Sequence, residues 1–226
     1  MTDTGPPFDL GDIYSVGQRR RPGGSFPTGG GGGSGGNSDI PPDEPLETEE
    51  GDPNGGELPL HPCSDPETAL DWNADAAAAE ALRRMQEDAD DPLLDGRERS
   101  FVIYRNPLTG RIQLGNIAVG PNRGGEVQPD DTGINRGDII GLIHSHPGSG
   151  PYPSGPDRTN FTEFWQPEIA ANGGDPSAFR LYLVGTRTDP GGQARLQIRV
   201  YDQSNLEGDE NNPGPEVNPN AEPCPN

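Results

Sequence analysis

The apolar residues of this chain are gathered in its middle, between about residues 69 and 201, and both ends are nearly free of them. Gly and Pro, with 34 and 27 copies, make up more than a quarter of the 226 residues. Segments rich in Gly, Pro and acid bury too little apolar surface to offset chain entropy. We therefore expect one folded domain over residues 65–205. A disordered arm at residues 1–64 and a disordered acidic tail at residues 206–226 would flank it.

The first elements of this domain are predicted from periodicity and turn signals. Residues 73–88 (NADAAAAEALRRMQED) combine a capping start with an alanine run and apolar residues at helical spacing, which predicts an amphipathic helix. Residues 100–105 and 111–119 read as two strands joined by a turn containing Pro and Gly. They are expected to form a hairpin.

Later residues continue the pattern. A second helix is predicted from Ser154 towards Trp165, where Pro167 would interrupt or kink it. Further strands are predicted at residues 138–144, 179–186 and 194–201. This order is typical of an α/β (α+β) domain with a mixed, curved sheet packed between helices. The aromatic residues near these elements are interpreted as core: Trp72, Phe161, Phe164 and Trp165.

Charge and hydropathy exclude some partners. The formal net charge is −21, so a nucleic-acid partner is not expected. No stretch approaches the roughly 20 apolar residues of a membrane helix, and residues 1–10 lack the features of a secretory signal. A cytoplasmic location is therefore predicted, and export by a route that needs no such signal stays open.

Two cysteines, Cys63 and Cys224, lie just outside the two ends of the predicted domain. They could pair and tie these ends together. A reducing cytoplasm would keep them as free thiols, so the unpaired state is favoured there, with pairing upon oxidation.

The stretch at residues 141–157 (GLIHSHPGSGPYPSGPD) carries the candidate chemistry. His144 and His146 end an apolar strand, where residues two apart share one face and can converge on one metal ion. Ser154 can cap the next helix and place Asp157 in its first turn, which gives three ligands and an open fourth position. An isolated His-x-His is mostly inert, and Ser-x-x-Asp alone is a capping box. The combination favours a metal site.

Here the chain resembles the JAMM/MPN+ (JAB-like) family of zinc metallopeptidases. His144-Ser-His146-Pro is followed by Ser154, with seven residues between His146 and Ser154, and then by Asp157, as in the family signature. The resemblance implies that His144, His146 and Asp157 bind Zn²⁺ and that Ser154 stabilises the oxyanion. It also implies an upstream general base. Glu98, 46 residues before His144, takes that place, although Glu-Arg-Ser-Phe stands where the family often has Glu-x-x-Gly.

The alanine-rich helix before a strand headed by glutamate is similar to an uncharacterised bacterial branch of this family, found attached to toxin-type proteins. The resemblance covers about residues 70–202 and implies a zinc-dependent hydrolase that cleaves peptide or isopeptide bonds. Two alternatives are an inert MPN-type binding module and a toxin-type effector domain that uses the same zinc site.

The expected partner is a protein or peptide substrate. All 16 basic residues are arginine, which codon bias in a GC-rich genome would explain. An enzyme that acts on lysine-linked conjugates would explain it too, because a chain without lysine cannot itself be conjugated on a lysine amine. The sequence carries no indication of the oligomeric state.

Overall fold

A long helix, α1 (Pro66–Ala89), opens the computed structural model, which describes residues 62–90 and 93–225. The carboxylate of Asp65 accepts a 2.9 Å hydrogen bond from the amide of Thr68, and Pro66 occupies the first helical turn. This cap starts the helix seven residues before the predicted start at residue 73. Asn73 lies inside the helix instead, where its side chain accepts a hydrogen bond from the amide of Cys224.

Within the described ranges, seven strands form one sheet in the order β2-β1-β4-β5-β6-β7, with β3 also paired to β1. The strands β4 and β5 are parallel, and the other pairs are antiparallel. Their bounds are β1 (Arg99–Arg105), β2 (Ile112–Leu114), β3 (Ala118–Val119), β4 (Ile139–His146), β5 (Arg180–Thr188), β6 (Ala194–Tyr201) and β7 (Glu216–Val217). The predicted strand at residues 111–119 is therefore two short strands, both paired with β1.

The parallel pair β4–β5 needs a crossover connection, and a helical segment supplies it. It consists of α2 (Gly155–Thr159), a π-helical segment (Asn160–Trp165) and α3 (Gln166–Ala171). The amide of Gln166 donates to the carbonyl of Phe161, five residues back. Pro167 then lies in the first turn of α3. The sequence predicts an interruption or a kink at Pro167; the helical segment continues through this residue but changes from π-helical to α-helical at the preceding Gln166.

Each face of the sheet carries its own core. On one face, Ala77, Ala81 and Met85 of α1 pack among Phe101 and neighbouring strand residues. The opposite face packs against the crossover helix through Phe161, Trp165 and Ile169. Two of the aromatic residues interpreted as core are partly exposed instead, Trp72 at 37% and Phe164 at 41%. The predicted mixed sheet between helices is confirmed.

The C-terminal segment is part of this domain, although the sequence predicts a disordered tail from residue 206. Leu206 and Val217 are 4% and 1% exposed. The short strand β7 pairs with the outer edge of β6, where Val217 lies opposite Ile198. Few apolar anchors suffice because a strand edge supplies backbone hydrogen bonds to whatever pairs with it. The predicted boundary at residue 205 therefore lies inside the folded region.

A disulfide joins Cys63 to Cys224, with Cα atoms 5.5 Å apart, so the favoured unpaired state is not what the structure contains. The indole of Trp72 donates a 2.7 Å hydrogen bond to the carbonyl of Glu222 and holds the same segment on α1. Residues 1–61 of the predicted arm lie outside the described residues. Among residues 62–90 and 93–225, no helix combines the length and the apolar character that a membrane crossing requires.

Candidate metal centre

His144 and His146 lie at the end of β4 and point to the face covered by the crossover helix. The strand register places them opposite Leu183 and Gly185 of β5. Since residues two apart share one face of a strand, both imidazoles project the same way. Their Nε2 atoms are 3.0 Å apart.

Asp157 reaches both imidazoles from the first turn of α2. Its Oδ1 lies 3.0 Å from Nε2 of His144, and its Oδ2 lies 3.3 Å from Nε2 of His146. Ser154 forms the predicted capping box, because its amide donates to Asp157 Oδ2 at 2.7 Å and its hydroxyl accepts from the Asp157 amide at 3.3 Å. The cap therefore fixes the carboxylate that faces the histidines.

Close packing at Gly185 sets the path of the loop that links the histidines to the helix. A Cβ on Gly185 would lie 2.3 Å from the amide nitrogen of Pro151. The amide of Thr186 also donates a 2.7 Å hydrogen bond to the carbonyl of Ser149. The loop thus rests directly on β5, next to His146, and returns to Ser154 over a short and defined route.

The electrostatics of the cluster favour a negative carboxylate between the rings. Burial acts to raise the pKa of Asp157, but its hydrogen bonds with His144 and His146 outweigh burial and hold that pKa well below its usual range. Burial acts to lower the pKa of His146, whereas Asp157 and the charge of Glu98 raise it above its ordinary value. An ionised carboxylate beside two imidazoles is a donor set that attracts a cation.

Glu98 stands beside this cluster at the head of β1. The register pairs Ser100 with His144, and its continuation by two residues brings Glu98 opposite His146. The carbonyl of Glu98 accepts from Gly120 at 2.7 Å, and its Oε2 accepts from the amide of Val127 at 3.1 Å. Its carboxylate is therefore held near the ring of His146 by both backbone and side-chain contacts.

A cavity of about 330 Å³ opens at these side chains. Its lining includes all five residues singled out in the sequence: Glu98, His144, His146, Ser154 and Asp157. In the described part of the chain, His144, His146 and Asp157 form the group whose ligand atoms could hold one metal ion, all within 4.8 Å of one another.

Sequence reasoning missed Arg99 and Ser145, which connect the two strands of the site. The amide of Arg99 donates to the hydroxyl of Ser145 at 2.9 Å. The Arg99 side chain is fully buried, with Nε 2.8 Å from Asp88 and Nη1 2.9 Å from the carbonyl of Leu94. The sequence feature that could have indicated Arg99 is a charged residue at the first position of an apolar strand. Such a residue needs partners when it is buried.

The fold and the cluster define a class: an α/β domain with a mixed sheet between helices and a His-His-Asp group that could hold a metal. Residues 122–190 match the family model described as prokaryotic homologs of the JAB domain. This part of the chain is therefore similar to the JAB domain of prokaryotes, which agrees with the JAB-like resemblance seen in the sequence. The match includes His144, His146, Ser154 and Asp157, whereas Glu98 precedes it. No curated protein matches this sequence.

Proposed function

We propose that this domain is a zinc-dependent hydrolase that cleaves a peptide or isopeptide amide bond. The observation that carries the proposal is the convergence of His144, His146 and Asp157 at the wall of a cavity that Glu98 also lines. Two imidazoles and one carboxylate, with the remaining side open to a cavity, are the donor set of catalytic zinc sites.

The distances support a fit to zinc. Bonds of about 2.0 to 2.1 Å in a tetrahedral arrangement put neighbouring ligand atoms roughly 3.3 Å apart. The ligand atoms lie 3.0 Å apart between the two rings, and 3.0 and 3.3 Å between the rings and the carboxylate oxygens. When bound, zinc supplies Lewis acidity, which makes water a better nucleophile and polarises an amide carbonyl.

The remaining chemistry belongs to side chains of this chain. Glu98 accepts a proton from the attacking water and passes it to the leaving amine. The amide C–N bond breaks, a C–O bond to the water oxygen forms, and the products are an acid and an amine. The Ser154 hydroxyl accepts a hydrogen bond from the backbone amide of Asp157, so its own proton is available to donate to an oxygen that gains negative charge.

Metal analysis of the purified protein tests the proposal. About one zinc per chain is expected, and His146→Ala or Asp157→Ala should lower the occupancy sharply. His61→Ala is the matched control, because His61 is the one remaining histidine of the sequence and lies outside the motif. Full zinc retention in both ligand variants, or no hydrolysis of any peptide or isopeptide by the zinc-loaded protein, would contradict the proposal.

A second candidate is a toxin-type effector that uses the same site outside the cell that makes it. The observation that favours it is the disulfide between Cys63 and Cys224, since such bonds persist mainly in oxidising compartments. Alkylation of thiols in freshly lysed source cells tests this candidate. A cystine in the native protein supports export, and two alkylated thiols argue for the cytoplasm.

A further inference from the structure

The lining of the cavity at the metal cluster includes apolar side chains that the hydrolytic chemistry does not use. They belong to Leu142, Leu181, Phe161, Phe164, Trp165 and Phe179. We call these six residues the apolar pocket. The same cavity is also lined by Glu98, Glu126 and Gln128, which give part of its wall a polar and acidic character.

The apolar pocket lies at a defined distance from the ligands. Leu142 precedes His144 by two residues on the same face of β4, so the two side chains are about 6.5 to 7 Å apart along the strand. Leu142 pairs with Leu181, as His144 pairs with Leu183. In the crossover helix, Phe161 follows Asp157 by one turn. Both elements thus lead from the metal ligands directly into the pocket.

The aromatic walls are held by one another and by a cation. The rings of Phe161 and Phe179 are 5.0 Å apart between centroids, and those of Phe164 and Trp165 are 5.1 Å apart and perpendicular. The guanidinium of Arg136 lies 5.2 Å from the Phe164 ring centre. Ion pairs of 2.7 Å to Asp131 and Glu168 hold that guanidinium in place. The pocket is therefore preformed.

We infer that the substrate carries a large aliphatic or aromatic side chain on a residue adjoining the scissile amide, and that the apolar pocket binds it. An extended peptide advances about 3.3 Å per residue, so a side chain next to a bond held at the metal cluster falls within reach of Leu142. Buried aromatic walls favour an apolar group, and the charges of Glu98 and Glu126 disfavour an acidic one. This inference rests on the proposed hydrolase function and specifies its substrate class.

Peptide turnover by the zinc-loaded full chain is the first test. Two sets of peptides would vary one residue on the acyl side or on the amine side of the scissile bond, as leucine, phenylalanine, glycine or aspartate. In one of the two sets, kcat/KM should be at least about tenfold higher for leucine or phenylalanine than for glycine, and lowest for aspartate. Equal turnover of leucine and glycine peptides in both sets would overturn the inference.

Phe164→Ala shows whether the pocket causes this preference. Phe164 is partly exposed, so its truncation should leave the fold intact. We expect kcat/KM to fall more for the leucine peptide than for the glycine peptide, mainly through a higher KM. Leu108→Ala, at a 93% exposed position in the β1–β2 turn, is the matched control. An unchanged preference in Phe164→Ala would overturn the role of the pocket.

A binding experiment separates this inference from the proposed function. The chain has two tryptophans, so Trp72→Phe leaves Trp165, in the pocket wall, as the indole reporter. Titration with N-acetyl-leucinamide should change the fluorescence saturably, whereas N-acetylglycinamide should not. If no peptide is cleaved, the hydrolase proposal fails, but a leucine-specific response still supports the pocket. No response to either amide would overturn the pocket, whether or not peptides are cleaved.

Discussion

The amide of Arg99 donates a 2.9 Å hydrogen bond to the hydroxyl of Ser145, the residue between the two histidines of the cluster. This contact joins the head of β1, where Glu98 stands, to the end of β4. Ser145 is fully buried, and its side chain lies on the sheet face opposite the imidazoles. The strand that carries the proposed base and the strand that carries the two proposed histidine ligands are thus held in one register.

Ser145→Ala should therefore destabilise the protein. It leaves the buried amide of Arg99 without an acceptor, which costs about 1 to 3 kcal/mol. Chemical denaturation would measure the change in the free energy of unfolding. Ser64→Ala, at an exposed serine, is the control and should stay near wild type. A Ser145→Ala protein as stable as this control would mean that the hydrogen bond does not stabilise the folded state.

Glu98→Gln tests the proposed base. The substitution keeps the shape and the hydrogen bond from Val127 but removes the proton acceptor. Zinc content and thermal stability should stay near wild type, while amide hydrolysis falls by roughly 10² to 10⁴. Loss of zinc would make Glu98 a ligand instead. Full activity would point to another carboxylate, and Glu126 of the same cavity would be the first to try.

Asp75, which lies far from the metal cluster, should make the free energy of unfolding depend on pH. Its carboxylate accepts a 3.0 Å hydrogen bond from the buried Tyr182 hydroxyl. Burial raises the pKa of Asp75 to about 6, with Asp71 adding to the rise and with Tyr182 and Arg180 opposing it. Because the folded state binds this proton more tightly than the unfolded state does, the contribution of Asp75 to the free energy of unfolding is complete below about pH 4. It is lost as the pH rises through about 6.

Asp75→Asn removes that titration. Between pH 4 and 7 the stability of wild type should fall relative to the variant by about 1 to 2 kcal/mol, after a discount for partial exposure of the carboxylate. Denaturation curves of both proteins across this range give the difference. Tyr182→Phe is the companion variant. It removes a hydrogen bond that lowers the pKa of Asp75, so the loss of stability should shift to higher pH. Parallel pH profiles for wild type and Asp75→Asn would refute the assignment.

Reduction of the disulfide should loosen the C-terminal segment. The bond spans 161 residues of sequence, and removing a native disulfide costs about 2 to 5 kcal/mol in small domains. Thermal unfolding with and without a reductant should show the loss, and thiol counting should find two thiols only after reduction. The double variant Cys63→Ser with Cys224→Ser should be insensitive to reductant. Two reactive thiols in the oxidised protein would show that the bond does not form.

Local sequence determined the candidate metal-binding group of this protein. His144 and His146 share a strand face because of the two-residue period, and Ser154 caps a helix whose first turn contains Asp157. These relations span only a few residues, so the pattern alone predicts them. The central strands follow for the same reason, since each is an apolar run between turn signals.

Only the tertiary structure decided which distant residues support the site. Arg99 meets Ser145, β7 pairs with the edge of β6, and Cys63 meets Cys224 across 161 residues. The composition of the C-terminal segment predicts disorder because it contains few apolar residues. A strand edge and a covalent bond offset that shortage. Contacts of this kind depend on which segments the sheet brings together, and no local period in the chain encodes them.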